Sequence, residues 1–521
     1  MSVRLGVDFG TTRTVVAYAD RGNYPVVAFE TPDGDSVDWF PSVVAEHEGT
    51  LAFGFDAIAV AQRKQASPVR SFKRLLANVR GTPSITIGTV TRTVPDLLAE
   101  YLEALTQALR TRSNLSAALR QDKSAFEVCI AVPANAHGAQ RLWTLDAFRR
   151  AGYHVRSMLH EPSAAGFEYT HRHRDTLSTR RDHVVVYDLG GGTFDASLLR
   201  MTGAAHDVVA TAGINALGGD DFDMVLAKLV LETAGVNPGD WPPEHWPVLL
   251  DVCRSEKERI NPNTRKVHID LDGAFGDRAP VAQVSLPVST FFDACMPLVN
   301  QSIDAMLPVM QRLSTEAADS PAGDTPADIA GIYVVGGASE LPVVPRALRQ
   351  RFGRRVHRSP YASSSIAIGL AIASDDSSGF ALSDRFGRTF GVFREAFRGD
   401  EVTFDPIFTR DASLPGPGSD TMVMRRSYRA AHNIGHFRFF ECGDLGGDGR
   451  PHGDLTMCGE VLFPFDANLP QEGSQLSKVP VRRADAGPQV LEEYALDAHG
   501  VVVVTIRNVD AGYARTFRVG P

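Results

Sequence analysis

Two stretches of the chain share one pattern of apolar and polar positions. In HVVVYDLGGGTFDASLLR, residues 183–200, the apolar run Val184, Val185, Val186 and Tyr187 meets Asp188 and then Gly190, Gly191 and Gly192. After Thr193 and Asp195 a second apolar run follows through Leu198 and Leu199. This order predicts strand, tight turn, strand. In LGVDFGTTRTVVAY, residues 5–18, it recurs: an apolar strand, Asp8, Gly10, Thr11 and Thr12, then Val15 and Val16 in a returning strand. Two acid-plus-glycine hairpins about 180 residues apart are an internal repeat, and they predict two half-domains that face each other.

Between and beyond the hairpins the period changes. Leu97, Leu98, Tyr101, Leu102, Leu105 and Leu109 fall on one stripe, so 95–109 is an amphipathic helix whose stripe is core. Residues 128–132 read as a strand ending at Pro133, and 140–150 as a helix that stops at Gly152. Helices are also expected after Leu217-Gly218-Gly219-Asp220-Asp221-Phe222 and over 249–260. Another is the long segment carrying Phe291, Met296, Val299, Ile303 and Leu307, which Thr290 and Asp293 would cap. Residues 331–335 form a buried strand that leads to Gly336 and Gly337. Residues 25–28 make a short strand, and 317–328 an exposed Ala/Pro/Asp-rich loop. Composition shifts at 374–379. From Phe386 on, turn signals alternate with short β-type runs at 390–393, 402–404, 421–424, 435–440, 459–465 and 501–507, the spacing of a β-sandwich.

The repeated hairpin carries chemistry as well as shape. A turn of three glycines lets backbone N–H groups approach an anion, because no Cβ intervenes and positive φ is accessible. A carboxylate at the strand end suits a hydrated Mg²⁺, which binds through one or two carboxylates together with phosphate oxygens. Two such hairpins on facing halves would grip one polyphosphate from opposite sides.

Composition narrows the class further. At 521 residues the chain is long enough for two to four domains. A net charge of −9 argues against a general nucleic-acid binder, which needs clustered Lys and Arg. No apolar run reaches the length of a membrane span, and a strand beginning by Val3 leaves no room for a signal peptide. The five cysteines, Cys129, Cys253, Cys295, Cys442 and Cys458, include no C-x-x-C pair. They read as reduced, buried residues of a cytoplasmic protein. The basic run from Arg63 to Lys73 reads as a solvated face at Arg63, Lys64 and Arg70. His171, Arg172, His173, Arg174, Arg180 and Arg181 read as a solvated insert, since the histidines lack a carboxylate or Cys partner at metal-ligand spacing.

These motifs resemble those of the heat-shock protein 70 (DnaK-type) chaperone family, within the superfamily of actin, sugar kinases and chaperone ATPases. DFGTT and DLGGGTFD match its two phosphate motifs. Glu161-Pro162-Ser163-Ala164-Ala165-Gly166 is similar to its connecting segment, Ser71-Phe72-Lys73-Arg74-Leu75-Leu76 to its catalytic-lysine segment, and Val334-Val335-Gly336-Gly337 to its adenosine motif. The resemblance implies an α/β actin-like ATPase domain of duplicated ribonuclease-H-like halves over 1–374 and a linker over 375–385. A β-sandwich substrate-binding-like domain without a helical lid follows over 386–521. Implied cofactors are ATP and Mg²⁺, the metal held through water by Asp8 and Asp188. Gly10, Thr11, Thr12, Gly190, Gly191, Gly192 and Thr193 would cradle phosphates, with Asp195 in the same motif and Gly218 and Gly219 in the loop beneath. Lys73 and Glu161 would support the attacking water, Thr193 would reach the γ-phosphate, Lys257 the ribose, and Gly336 and Gly337 the adenosine. Pro133 and Arg141 fall where the family transmits the nucleotide state to the substrate domain.

The sequence departs from the family in the base half of the pocket and in the linker. Glu258 and Glu340 stand where many members carry arginines against the base, Asn261 replaces a serine, and Ser363 an aspartate. The linker offers only Phe380 and Leu382 in place of an acidic, leucine-rich strand. The resemblance implies an ATP-dependent chaperone in protein folding and the stress response, binding unfolded or extended polypeptide through edge strands and an apolar pocket. Its implied partners are a J-domain co-chaperone and a nucleotide exchange factor. Open alternatives are a small-molecule kinase, which the SFKRLL and EPSAAG segments disfavour, a nucleotide-binding filament or scaffold, and a nucleotide-gated binding module with slow hydrolysis.

Overall fold

A computed structural model describes residues 3–519 except 64–67, 79–82, 120–123, 174–175, 179–180, 203–204, 312–328, 380, 417, 471–472 and 485. Both hairpins form. Arg4–Phe9 pairs antiparallel with Arg13–Tyr18, and His183–Leu189 with Phe194–Thr202. Their β-branched residues fit the pleat, with Val7, Val16, Val184, Val185 and Val186 fully buried.

Each hairpin sits in a sheet of the same plan. In the first, His154–His160, Glu127–Val132 and Arg4–Phe9 run parallel, then Arg13–Tyr18 and Phe40–Pro41 follow antiparallel. In the second, Val356–Arg358, Ile329–Val335 and His183–Leu189 run parallel, then Phe194–Thr202 and Ala205–Ile214 antiparallel. The sequence repeat is thus a repeat of topology. Two helices, Glu161–His173 and Ser365–Ser374, cross between the sheets. They pack closely because Gly369 has no side chain: a Cβ there would lie 1.8 Å from the Ala164 carbonyl oxygen. Gly6 meets the same helix, where a Cβ would stand 2.2 Å from the Ala371 nitrogen.

The second sheet gains a sixth strand, Ala381–Ser383, parallel to Ala205–Ile214. It lies in the span expected as a linker and leads into two four-stranded antiparallel sheets. One has the order Glu401–Phe408, Thr389–Ala396, Ile434–Leu445, Pro451–Pro464; the other Met422–Arg429, Gln489–Leu496, Val502–Asn508, Tyr513–Val519. Their inner faces share a core that includes Phe390, Phe439, Phe463, Leu496 and Val504, as a sandwich requires. Among the described residues no helix is long and apolar enough to cross a membrane.

Several local expectations are corrected. Residues 25–28 add two backbone bonds to the neighbouring strand, Tyr18 N–H to Pro25 O and Val27 N–H to Val16 O, but form no regular strand. Pro25 has no N–H with which to extend the ladder. The long helix Val288–Gln311 begins before Thr290, which falls inside its first turn. His171, Arg172 and His173 complete the helix Glu161–His173 rather than a loop, with Arg172 held by Glu168 one turn back. Arg70 is not solvated but pairs with Asp251 at 2.6 Å. The strands Gln489–Leu496 and Tyr513–Val519 were missing from the runs read off the sequence. Lys64, Arg174, Arg180, Phe380 and the 317–328 loop lie outside the described residues.

Candidate functional site

The two hairpin turns meet across one cleft of about 370 Å³. A Cβ on Gly191 would stand 2.8 Å from Thr12 Cγ2, and one on Gly192 3.0 Å from Thr11 Cγ2, so each turn is shaped by the other's side chains. Asp8, Gly10, Thr11 and Thr12 line the cleft from the first half, and Asp188, Gly190, Gly191 and Thr193 from the second. Gly219, Lys257, Gly336 and Gly337 line its deeper part. Gly218 packs beneath, its missing Cβ leaving room for the Gly192 nitrogen at 2.6 Å, and Gly219 N–H donates to Gly190 O at 2.9 Å. Gly336 adopts φ +87° beside Asp188, where a Cβ would stand 2.4 Å from the Asp188 Oδ1, so both conformation and space require glycine.

Lys73 comes from the short 3₁₀ helix Phe72–Asn78 and Glu161 from the first residue of its helix. Both are buried and joined by a 3.1 Å hydrogen bond from the Lys73 Nζ, which lies 5.3 Å from the centre of the Phe9 ring. The Lys73 charge also acts on three further buried carboxylates, Asp8, Asp188 and Asp195. Burial, with the Glu161 charge next, pushes Asp8 up to about 7 and Asp195 to about 8, and raises Asp188 well above the usual carboxylate range. Lys73 opposes these shifts without cancelling them. Asp195 stands behind the turn, accepting from Ala134 N–H at 3.1 Å.

This excess of buried negative charge fits a divalent cation, which would restore the carboxylates to their charged form. Among the described residues no group of three or more His, Cys, Asp or Glu side chains is arranged to hold a metal directly. Two carboxylates, Asp8 and Asp188, beside a cleft lined by both turns suit a hydrated ion completed by phosphate oxygens, as Mg²⁺ prefers.

The side of the cleft expected to take the base carries two acids. Glu258 and Glu340 line the cleft with Ser363 and Asn261. Glu258 is ion-paired to Arg13 from the opposite half, and Arg13 stacks on Trp39 at 4.8 Å. Lys257 donates to Gly219 O at 2.7 Å and pairs with Asp223 at 2.6 Å.

The cleft also connects to the sandwich, through Arg141 and through residues that carry no motif in the sequence. His160, next to Glu161, donates its backbone N–H to Asp384 at 3.1 Å, and its ring Nδ1 lies 2.7 Å from the same carboxylate. Arg141, buried, bonds to the His160 ring and donates to Phe386 O at 3.1 Å. Gly138 N–H donates to Glu441 of the sandwich at 2.9 Å, and Arg410 to Thr211 O at 3.0 Å. Arg141 was expected at the domain interface. His160, Asp384 and Glu441 carry no local motif, and only their burial as charged or polar groups marks them.

With this geometry in view, the chain belongs to the Hsp70 family: residues 4–384 match the family model described as Hsp70 protein. It is 33% identical over 383 residues to the Chaperone protein HscA homolog of Burkholderia multivorans, covering 71% of this chain and 58% of that protein. To the Chaperone protein HscA of Klebsiella pneumoniae subsp. pneumoniae it is 32% identical over 391 residues, covering 71% and 57%. To that of Pectobacterium atrosepticum it is 31% identical over 399 residues, covering 71% and 58%. The chain thus spans less than two-thirds of the length of these relatives. Its mixed sheets in the N-terminal part and antiparallel sheets in the C-terminal part are the family's actin-like ATPase fold followed by a β-sandwich.

Proposed function

We propose that the chain is an ATP-dependent, chaperone-like protein that couples hydrolysis of Mg-ATP in the cleft to binding of unfolded or extended polypeptide by the sandwich. The observation that carries this reading is the tip-to-tip approach of the two turns, with Asp8 and Asp188 in one cleft behind them. We divide the chain into an ATPase domain over 1–374, a connecting segment over 375–385 and a sandwich domain over 386–521.

In this reading Asp8 and Asp188 hold a hydrated Mg²⁺, which when bound supplies positive charge to the phosphate oxygens. Backbone N–H groups of 10–12 and 190–193, with the Thr11, Thr12 and Thr193 hydroxyls, hold the triphosphate. Lys73 sets an ammonium toward the transferring phosphoryl group, and Glu161 fixes that ammonium through its 3.1 Å bond. Glu161 also orients the attacking water. Asp195 holds the Ala134 backbone, and Lys257 faces the ribose. The path His160–Asp384 and Arg141–Phe386 joins Glu161 to the segment entering the sandwich, which supports coupling between the two sites.

A J-domain co-chaperone and a nucleotide exchange factor are the proposed partners, and the cytoplasm the proposed location. The five free, buried cysteines agree with a reducing compartment. The Arg13–Glu258 pair at the base side favours a second reading, a nucleotide-gated binding module with slow turnover. The deciding experiment is ATP turnover with and without a panel of unfolded peptides. Stimulation supports the coupled chaperone; turnover without response supports the second reading; absence of turnover sinks the ATPase.

A further inference from the structure

The glycine turn of the second half is held from behind, carbonyl by carbonyl. Gly190 O accepts from Gly219 N–H at 2.9 Å and Gly191 O from Asp220 N–H at 2.8 Å, both donors being first residues of the helix Gly219–Thr233. Gly192 O accepts instead from Arg74 Nη2 at 2.8 Å. Arg74 follows Lys73 in the 3₁₀ helix Phe72–Asn78, whose Phe72 and Leu76 are buried in the core of the first half. The third carbonyl is thus held from the opposite side of the cleft. The approach is close: a Cβ on Gly192 would stand 2.6 Å from Arg74 Nε. The same Nη2 donates to Asp221 at 3.2 Å, and that Asp221 oxygen accepts from Gly218 N–H at 2.8 Å. Nearby, Ser71 holds φ +56°, a left-handed conformation that a non-glycine residue keeps only where its surroundings fix it. Its hydroxyl donates to Asp220 at 2.7 Å, so the contact that fixes it also crosses the cleft.

A trans peptide carries its C=O and the following N–H on opposite sides. Anchoring the carbonyls of Gly190, Gly191 and Gly192 behind the turn therefore aims the N–H groups of Gly191, Gly192 and Thr193 the other way. Among the described residues none of these three N–H groups has a backbone acceptor, and Gly190, Gly191 and Thr193 line the cleft. Two of the three are aimed by donors within their own half. The third, on Thr193, is aimed only while Arg74 reaches across. Arg74 itself is not among the residues that line the cleft, so its effect on a bound phosphate passes through the Gly192–Thr193 peptide.

Resting on the ATPase reading above, we propose that Arg74 is a positioning residue for phosphoryl transfer. Through Gly192 O it aims Thr193 at the γ-phosphate, and because it comes from the opposite half, that alignment exists only when the two halves are together. The test uses the full chain as wild type, Arg74→Met and Arg74→Lys. Turnover is read as phosphate released from ATP, and ADP affinity by displacement of a fluorescent nucleotide. Arg74→Met removes the donors and keeps the apolar stem; kcat is expected to fall by about tenfold or more, the scale of a misaligned donor. ADP has no γ-phosphate, so its affinity is expected to stay within about threefold of wild type. Arg74→Lys can give one bond to Gly192 O but cannot also hold Asp221 as a guanidinium does, and its kcat is expected to exceed that of Arg74→Met by about threefold or more. Circular dichroism verifies folding. Should Arg74→Met not fold, Arg74→Lys decides, and kcat lowered by about threefold or more with ADP affinity kept supports the proposal. A kcat within about twofold of wild type, ADP affinity that falls as far as kcat, or a lysine variant no better than methionine overturns it, while wild-type turnover leaves the ATPase reading intact. Wild type without turnover overturns both.

Discussion

Gly191 and Thr12, from turns about 180 residues apart in sequence, approach so closely that one added carbon on the glycine would lie 2.8 Å from the threonine methyl. That contact decides the geometry of the whole cleft. Gly191→Ala forces the halves apart or twists one turn, and either change misaligns the backbone donors on both sides. The expected outcome is a loss of ATP turnover of tenfold or more with an unchanged far-ultraviolet spectrum. Turnover within twofold of wild type would show that the turns do not act together.

Lys73 and Glu161 are each about 6% exposed and have each other as partner. Lys73→Ala removes the ammonium paired to Glu161. Turnover is expected to fall by about 10²-fold or more, the scale of losing a pre-organised charge at a phosphoryl site. Leaving Glu161 unpaired is expected to cost about 1–3 kcal/mol of stability, measured by urea denaturation. Unchanged turnover would remove Lys73 from the mechanism.

The raised carboxylates predict how metal binding depends on pH. Cation binding is favoured by the charged forms, and at neutral pH Asp8, at about 7, is about half protonated and Asp195, at about 8, mostly protonated. Mg²⁺ affinity by calorimetry is therefore expected to weaken as pH falls below about 8, by roughly tenfold per pH unit for each proton displaced. Stability carries the matching sign. A carboxyl whose folded pKa lies above its unfolded value contributes most below that unfolded value of 3.8, and the contribution is lost as pH rises from there through about 7 to 8. The increase in melting temperature on adding Mg²⁺ should accordingly grow from pH 6 to pH 8.5. An increase that is flat across this range would contradict the assignment.

Glu441 lies almost fully buried between the sandwich and the Gly138 backbone, 3.6 Å from the Arg388 Nε. Glu441→Ala leaves the Gly138 N–H without its acceptor and takes one carboxylate from Arg388, which keeps its 2.7 Å bond to Asp454. Looser packing of the sandwich on the N-terminal part is expected, read as at least threefold faster proteolysis within 375–385 and a larger radius of gyration by X-ray scattering. If both stay at wild-type values, Glu441 does not hold the two parts together.

Much of the site was legible because its chemistry is local in sequence. The acid, the glycines and the threonines of each turn stand within a few residues of one another, so their spacing alone predicted hairpins and an anion cradle. Lys73 and Glu161 were reached through resemblance of short segments, and the structure brings them within hydrogen-bonding distance. The strand Gln489–Leu496 was harder to see, because its inward positions include Glu492 and Tyr494, which break the apolar alternation on which strand reading depends. The same two residues belong to a charged network inside the sandwich, where Glu492 pairs with Arg394 at 2.7 Å and accepts from the Tyr494 hydroxyl. His160 and Asp384 were silent for a related reason: 224 positions separate them, and neither has a local pattern that foretells a partner.

By itself, then, the sequence determined the duplicated strand–turn–strand units, the acid and glycine at each turn, and the division into mixed and all-β parts, because periodicity and turn chemistry are properties of neighbouring residues. The tertiary structure alone decided that the two turns touch, that Asp8, Asp188 and Asp195 are buried near the Glu161 charge and so resist ionisation, and that the sandwich closes on charge. Those outcomes depend on distance and burial between residues far apart along the chain, and desolvation acts on a carboxyl only once the fold has removed its water.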